Sequence, residues 1–452
     1  MVAASQYQRT NALLSDAMLR KEKDVNEPLR VMAIFGTRPD AIKMAPVVAA
    51  LRSARPRVEP LVCVTGQHRE MLDQMLRVFD LRPNYDLRVM KSGRQSLADV
   101  TAACLTGLDV VLRRERPVLV LVQGDTTTTF AAALAAYYCH IAVGHIEAGL
   151  RTGKKQNPFP EEINRRLATH LTDFHFAPTE GARSNLLLEG VSPEEICVTG
   201  NTVIDALFFT RALLAEKPRL AADCLGPTAG LKIVLVTAHR RESFGPPFRR
   251  ICEAVRAIAE RRPDVLVVYP VHLNPNVQAP VRETLDGVPN IKLLAPMDYV
   301  SFVACMQRAY ILLTDSGGIQ EEGPSLGKPV LVMREVSERP EAIAAGTACL
   351  TGTNPEAIVS AVTSLLDDPV RYKRMTSRPN PYGDGHAAER IVQFLVSRVA
   401  DLAAKPVHNG AAAPTATVRS LSQIGDAGIL RDSVASQSSP AGRFEAPVRG
   451  ET

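Results

Sequence analysis

No segment of this 452-residue chain is apolar for the length that spans a bilayer; the richest candidate, residues 130–143, is short, Ala-heavy and interrupted by His140. The first thirty residues have neither an apolar core nor a small-residue cleavage site, which argues against export. No CxxC pair and no Cys/His cluster occurs. The eight cysteines stand singly, mostly inside apolar runs, which argues against a zinc site and a disulfide framework and for buried thiols in a reducing cytoplasm. Basic residues form no long run and the formal charge is only +5, so nothing calls for nucleic acid or a membrane surface as partner, while an anionic small ligand stays compatible. A GxGxxG dinucleotide fingerprint is also missing, and no repeat is found beyond a βα rhythm.

What is there is ordinary for a soluble globular enzyme, with 46% apolar and 22% charged residues. The length exceeds what a single core supports, so two domains are the default. Apolar runs alternate with amphipathic stretches, and the polar clusters fall at the ends of predicted strands: Gly36 to Asp40, Gly66 to His68, Gln123 to Asp125, Glu147 to Arg151, His239 to Ser243 and Asp315 to Gly318. Parallel α/β sheets bind ligands at that edge. The pattern predicts an α/β fold of two Rossmann-like domains facing a cleft, 29–200 and 201–376. Residues 377–402 form a hinge and a helix returning to the first domain, 1–28 a mobile arm, and 403–452, rich in Ala, Ser, Pro, Gly and Thr, a disordered tail. Residues 86–93 are predicted as loop, and no helix is predicted between His272 and Ile291.

The densest polar stretch is TDSGGIQEEGPSLGKPVLVMREVSERPE, residues 314–341. A strand breaks at Asp315-Ser316-Gly317-Gly318, where small residues let backbone amides approach a ligand and a helix start favours a diphosphate. Glu322 behind it suits a ribose diol, and Arg339 a phosphate. The plain alternative is a βα turn with surface charges. Arg38 and Lys43 likewise read either as an anion site or as a capped helix with exposed cations, and Glu161 and Glu162 either as site carboxylates or as partners of a helix dipole. His239, beside Arg240 and Arg241 at a strand end, reads as a phosphate ligand or a neutral core histidine.

Eleven stretches between about residues 30 and 400 carry a resemblance: FGTRPDAIKMAP, TGQHREMLDQ, VQGDTTTT, GHIEAGLRT, PFPEEINRR, GNTVIDAL, TAHRRESFG, YPVHLNPNV, DSGGIQEEGPSLGKPVLVMRE, ERPEAI and NPYGDG. In this order the chain resembles the bacterial non-hydrolysing UDP-N-acetylglucosamine 2-epimerases. The resemblance implies a glycosyltransferase-B architecture, a homodimer, and interconversion of UDP-GlcNAc and UDP-ManNAc with no cofactor and no metal. Asp40 stands where the family usually has Glu, Gly323 where Ala is common, and Glu335-Val336-Ser337 where Asp-Thr-Thr is frequent; by chemistry these exchanges look near neutral.

The hydrogen at sugar C2 lies beside an acetamido group, not a carbonyl, so direct proton exchange gains no enolate stabilisation. Loss of UDP first, giving 2-acetamidoglucal, acidifies that position, and the missing dinucleotide fingerprint favours this route over transient oxidation. The expected diphosphate and nucleotide ligands are Arg38, Lys43, His239, Ser316, Gly317, Gly318 and Arg339, with Glu322 on the ribose. His239 also counts among the catalytic residues. Asp125, Glu147 and Glu161 are expected to move the proton and steady positive charge at C1. The resemblance also implies a second, activating UDP-GlcNAc at Gln67, His68, Arg69, Glu70, Arg240 and His272. A glycosyltransferase, a hydrolysing epimerase and a non-catalytic sugar-nucleotide sensor remain as alternatives.

Overall fold

The computed structural model describes residues 28–66, 69–90, 95–220, 225, 226, 228 and 230–398; the predicted arm before residue 28 and the predicted tail from 403 lie outside them. The first half runs β1 (Leu29–Phe35), α1 (Arg38–Ser53), β2 (Val58–Val64), α2 (Arg69–Val78), β3 (Tyr85–Asp86), α3 (Leu97–Glu115), β4 (Leu119–Gln123), α4 (Thr127–Tyr138), β5 (Ala142–Ile146), α5 (Glu161–His170), β6 (Phe174–Ala177), α6 (Glu180–Leu188) and β7 (Ile196–Val198). Its seven strands pair in parallel in the order β3-β2-β1-β4-β5-β6-β7. Helix α7 (Thr202–Glu216) leads into the second half. There β8 (Lys232–Thr237), α8 (Pro246–Arg261), β9 (Val265–Pro270), α9 (Pro275–Leu285), β10 (Ile291–Leu294), α10 (Tyr299–Arg308), β11 (Ile311–Thr314), α11 (Gly317–Ser325), β12 (Val330–Val332), α12 (Pro340–Ala345) and β13 (Ala348–Leu350) build a six-stranded parallel sheet ordered β10-β9-β8-β11-β12-β13. Helices α13 (Pro355–Asp367), α14 (Pro369–Thr376) and α15 (Ala387–Ser397) follow. Among the described residues no helix is long and apolar enough to cross a membrane.

The central strands are apolar throughout because helices cover both faces: Val31 to Phe35, Leu119 to Val122 and Ile311 to Leu313 are all buried. In both sheets the order reverses beside the first strand of the half, leaving a crevice at the carboxyl edge next to β1 and next to β8. Helix α7 packs on α1 and α15 and also on α10 and α11, so one apolar cluster joins the two sheets. The last helix docks on the first half: Phe394 meets Phe174 and Phe176 edge-on at 5.7 and 5.6 Å, and Asp205 of α7 accepts the amides of Ala387 and Ala388.

The crossing between halves is tight. A Cβ on Gly200 would lie 3.2 Å from Gly383 Cα, and both glycines have positive φ, 88° and 122°, so neither position accepts a side chain without strain. Nearby, Glu341 of α12 accepts hydrogen bonds from the Thr179 hydroxyl (2.9 Å) on one oxygen and from the Tyr382 hydroxyl (3.0 Å) on the other.

Several elements differ from expectation. Residues 86–93 are not all loop: Tyr85 and Asp86 add a two-residue edge strand beside Cys63 and Val64, too short to show any alternation in sequence. Helix α9 was masked by Pro275 at its start and Pro280 within it. The apolar pattern predicts the first helix from Ala41, yet α1 begins at Arg38, because Thr37 and Asp40 form a capping box around Pro39.

Candidate active site

A cavity of about 430 Å³ opens between the two sheets at their carboxyl edges. Arg38 and Lys43 reach it from α1, His239 from the β8 loop, Ser316, Gly318 and Glu322 from the start of α11, and Arg339 from the residue before α12. Ile42, Val203, Pro270, Pro296, Met297 and Phe302 give it an apolar wall. Gly317 lies just behind, where an added Cβ would stand 3.8 Å from the guanidinium groups of Arg240 and Arg339. Ser316 precedes α11 without a side-chain cap, so the first amides of that helix face the cavity mouth without the usual hydroxyl partner.

Arg339 is held for its task. Its guanidinium bonds to Glu321, which is buried and takes a second hydrogen bond from the Asn201 amide (3.2 Å), so a residue of the crossing segment fixes an arginine of the second half. Glu322 is buried beside it and accepts the Tyr299 hydroxyl at 3.1 Å. Burial pushes the Glu322 carboxyl up to about 7, although the Tyr299 hydrogen bond works against that.

The expected acids form a second cluster against the first sheet. Glu147 follows β5 in the left-handed region, φ 64°, a conformation uncommon for a residue with a side chain. Its Oε2 lies 2.5 Å from Lys43 Nζ and also accepts from the Gln123 amide. Burial favours the neutral acid, but Lys43 and then Arg339 outweigh it and hold the carboxyl below the usual carboxylate range. Asp125, past the end of β4, pairs with Arg165 of α5, and its carbonyl accepts from Asn164 (3.0 Å). Glu161 is half-buried at the start of α5; burial raises its carboxyl, and the charges of Asp125 and Glu338 add to that.

Of the adjacent acids, Glu162 is fully buried and takes the amides of Thr152 and Gly153 at 3.1 and 3.2 Å, so it ties down the loop after β5. Glu161 beside it is only half-buried. Asp125, Glu147 and Glu161 do not line the larger cavity. A smaller cavity of about 280 Å³, whose wall includes Arg165, Glu338 and Arg339, does not contain them either; Glu147 is tied to the larger cavity through Lys43 and Arg339, which line that cavity and hold the carboxylate's charge. Asp40, in sequence only an exchange for Glu, caps α1 with Thr37 close to Lys43. It is buried, its carboxyl is pushed up to about 6 by burial, and the charges of Lys43 and Asp125 act on it. Its place three residues after Thr37, beside Arg38, was the available signal.

His239 stacks on His272, rings 5.2 Å apart and 11° from parallel. Burial lowers its pKa, and the charge of Asp315 pulls the other way. Arg240 sits next to it, with its amide on Asp315 at 2.7 Å. Of the residues expected to hold a second nucleotide, Gln67 and His68 lie outside the described residues, as do the side chains of Arg69 and Glu70.

Comparison with known proteins accords with this geometry. A family profile described as UDP-N-acetylglucosamine 2-epimerase matches residues 50–396. The UDP-N-acetylglucosamine 2-epimerase of Yersinia pestis is 56% identical over 371 residues, 81% of this chain and 98% of that protein. Among solved structures, that of the UDP-GlcNAc 2-epimerase from Neisseria meningitidis bound to UDP-GlcNAc is similar at 46% identity and a TM-score of 0.76, covering 82% of this chain and 100% of the other. A glycotransferase of kitacinnamycin, 14% identical with a TM-score of 0.57 over 81% of this chain and 99% of its own, shares the two-sheet glycosyltransferase-B fold alone. The chain belongs to the UDP-N-acetylglucosamine 2-epimerase family.

Proposed function

We propose that this chain is a non-hydrolysing epimerase that interconverts UDP-GlcNAc and UDP-ManNAc at C2 of the sugar. The observation that carries the reading is the joining of a cation-lined cavity to the acid cluster through Lys43, which lines the cavity and contacts Glu147. The similarity to a Neisseria meningitidis enzyme crystallised with UDP-GlcNAc supports the choice of nucleotide sugar.

In this reading the uracil and ribose pack along Pro296, Met297 and Phe302, and Glu322 takes the ribose hydroxyls. Arg38, Lys43, His239, Arg339 and the amides around Ser316, Gly317 and Gly318 hold the diphosphate. These donors stabilise the negative charge that grows on the leaving oxygen as the C1–O bond breaks. One carboxylate among Asp125, Glu147 and Glu161 takes the C2 proton, and the C2–H electron pair forms the C1–C2 double bond of 2-acetamidoglucal. Return of UDP to C1, with a proton delivered to the opposite face of C2 by another carboxylate, gives the epimer. No net water, oxidant or reductant is consumed.

Lys43 links the two jobs, since it bonds Glu147 and also lines the nucleotide cavity. Exposed Val110, Tyr137 and Tyr138 on the neighbouring helices α3 and α4 supply an apolar face for the homodimer we also propose, which light scattering of the purified protein checks. A cytoplasmic enzyme of this kind would supply ManNAc units for surface polysaccharide.

Incubation with UDP-GlcNAc in deuterium oxide, followed by NMR, tests the reaction. UDP-ManNAc labelled at C2 is the expected product. Free ManNAc with UDP would replace the proposal with hydrolysis, an unlabelled epimer would indicate hydride transfer, and binding without product would leave a sensor.

A further inference from the structure

Asp315 stands one residue past β11 and is completely buried. Its amide donates to the carbonyl of Thr237 (3.0 Å), and its Oδ2 takes the amides of His239 at 2.6 Å and Arg240 at 2.7 Å. The residue before His239 is fixed as well, because the buried Tyr269 hydroxyl donates to the Ala238 carbonyl at 2.7 Å. The loop that carries His239 is therefore clamped by its neighbours on both adjacent strands.

The other carboxylate oxygen is unused. Asp315 Oδ1 is buried and has no hydrogen-bond partner among the described residues, a costly state for a carboxylate. His239 Nδ1 lies 3.8 Å from it. That distance is about an ångström beyond a charge-assisted hydrogen bond, within reach of a small ring movement. The ring has room to make it: its stacking partner His272 is exposed at the cavity mouth, and the His239 side chain itself is 39% exposed.

We infer that Asp315 is the positioning residue for His239: its free Oδ1 takes the Nδ1–H of the imidazole and turns Nε2 toward the diphosphate. This rests on the role proposed above for His239. With Nδ1–H committed to the carboxylate, the charged ring donates through Nε2–H to the departing UDP, and Asp315 stabilises that charge without touching substrate. The other charged or titratable groups acting on the ring are His272 from the end of β9 and Arg240 and Glu242 from its own loop; His272 and Arg240 oppose the charged ring and Glu242 adds to Asp315.

Asp315→Asn separates this role from the clamp. The amide carbonyl still accepts the two backbone amides, while its NH2 now faces Nδ1 and can only donate. The neutral ring is forced into the opposite tautomer and the ring charge is disfavoured. The expected result is a fall in kcat of about 100-fold, in the range for loss of one donor to a developing anion, with KM changed by a few-fold at most. In protein labelled with ¹⁵N-histidine, with the His239 signals assigned by their loss in His239→Gln, the neutral ring should carry its proton on Nδ1 in the native chain and on Nε2 in the variant.

A native ring protonated on Nε2 overturns the inference, as does a variant with unchanged tautomer and unchanged kcat. If Asp315→Asn fails to fold, the tautomer in the native chain decides alone. A native Nδ1–H with no epimer formed from UDP-GlcNAc would instead sink the proposed reaction and leave the positioning intact.

Discussion

Lys43 and Glu147, 104 residues apart in sequence, meet with Nζ 2.5 Å from Oε2, and the same carboxylate oxygen also accepts from Gln123. Both side chains are largely buried, so removing one partner strands a charge. Lys43→Met, which keeps the aliphatic stem, should lower stability by about 3 kcal/mol in urea unfolding at pH 7. Adding Glu147→Gln should restore most of it, and a strictly additive double mutant would refute the coupling. The sign with pH follows from the depressed Glu147 value: its contribution is present above the ordinary carboxylate pKa and is lost as pH falls through the folded one, so the Lys43→Met penalty should vanish in acid.

The acid cluster makes its own demand. Asp125→Asn, Glu147→Gln and Glu161→Gln should each lower kcat by roughly 100- to 10,000-fold while UDP affinity, measured by calorimetry, changes little. Near-normal turnover in all three would mean that the proton carriers lie elsewhere.

Glu322 predicts an opposite pH trend. Its folded value of about 7 against an ordinary 4.5 means that the folded state holds the proton more tightly, so stability is lost as pH rises from about 4.5 through 7. That difference corresponds to roughly 3 kcal/mol, which Glu322→Gln should abolish when unfolding free energies at pH 5 and pH 8 are compared. Binding of UDP-GlcNAc, followed in an Asp125→Asn background to prevent turnover, should tighten over the same interval as the ionised carboxyl becomes available to the ribose. A pH-independent affinity would argue against that contact.

Gly323 looked like a near-neutral exchange for Ala, but its surroundings say otherwise. A methyl group there would stand 2.6 Å from Leu312 Cδ1 and 2.7 Å from Val330 Cγ2, side chains of adjacent strands beneath α11. Gly323→Ala should cost about 1–3 kcal/mol by overpacking, read from thermal unfolding, and should perturb the helix whose first turn carries Ser316 to Gly318. A stabilised variant would show that Leu312 and Val330 yield freely.

The pair of Rossmann-like units was legible because each unit writes itself locally: an apolar run, a polar break, an amphipathic stretch. Polar residues at strand ends could be singled out for the same reason. Pairings across the halves could not, since Thr179 with Glu341 and the hydrogen bond from Asn201 of the crossing segment to Glu321 depend on how two sheets meet, which no local pattern encodes. By position alone Glu161 and Glu162 read alike, as site carboxylates or as partners of a helix dipole, and the bonds that tie Glu162 to the Thr152 and Gly153 amides have no local sequence signal. Short edge strand β3 and Pro-interrupted α9 escaped notice because neither offers enough residues in phase.

Glu341 divides its two oxygens between Thr179, on the first sheet's side, and Tyr382, in the segment that recrosses. A door hung this way has a catch next to its pivot. Any spreading of the lobes would first have to sever the Thr179 bond, a restraint of about 1 kcal/mol set next to the hinge.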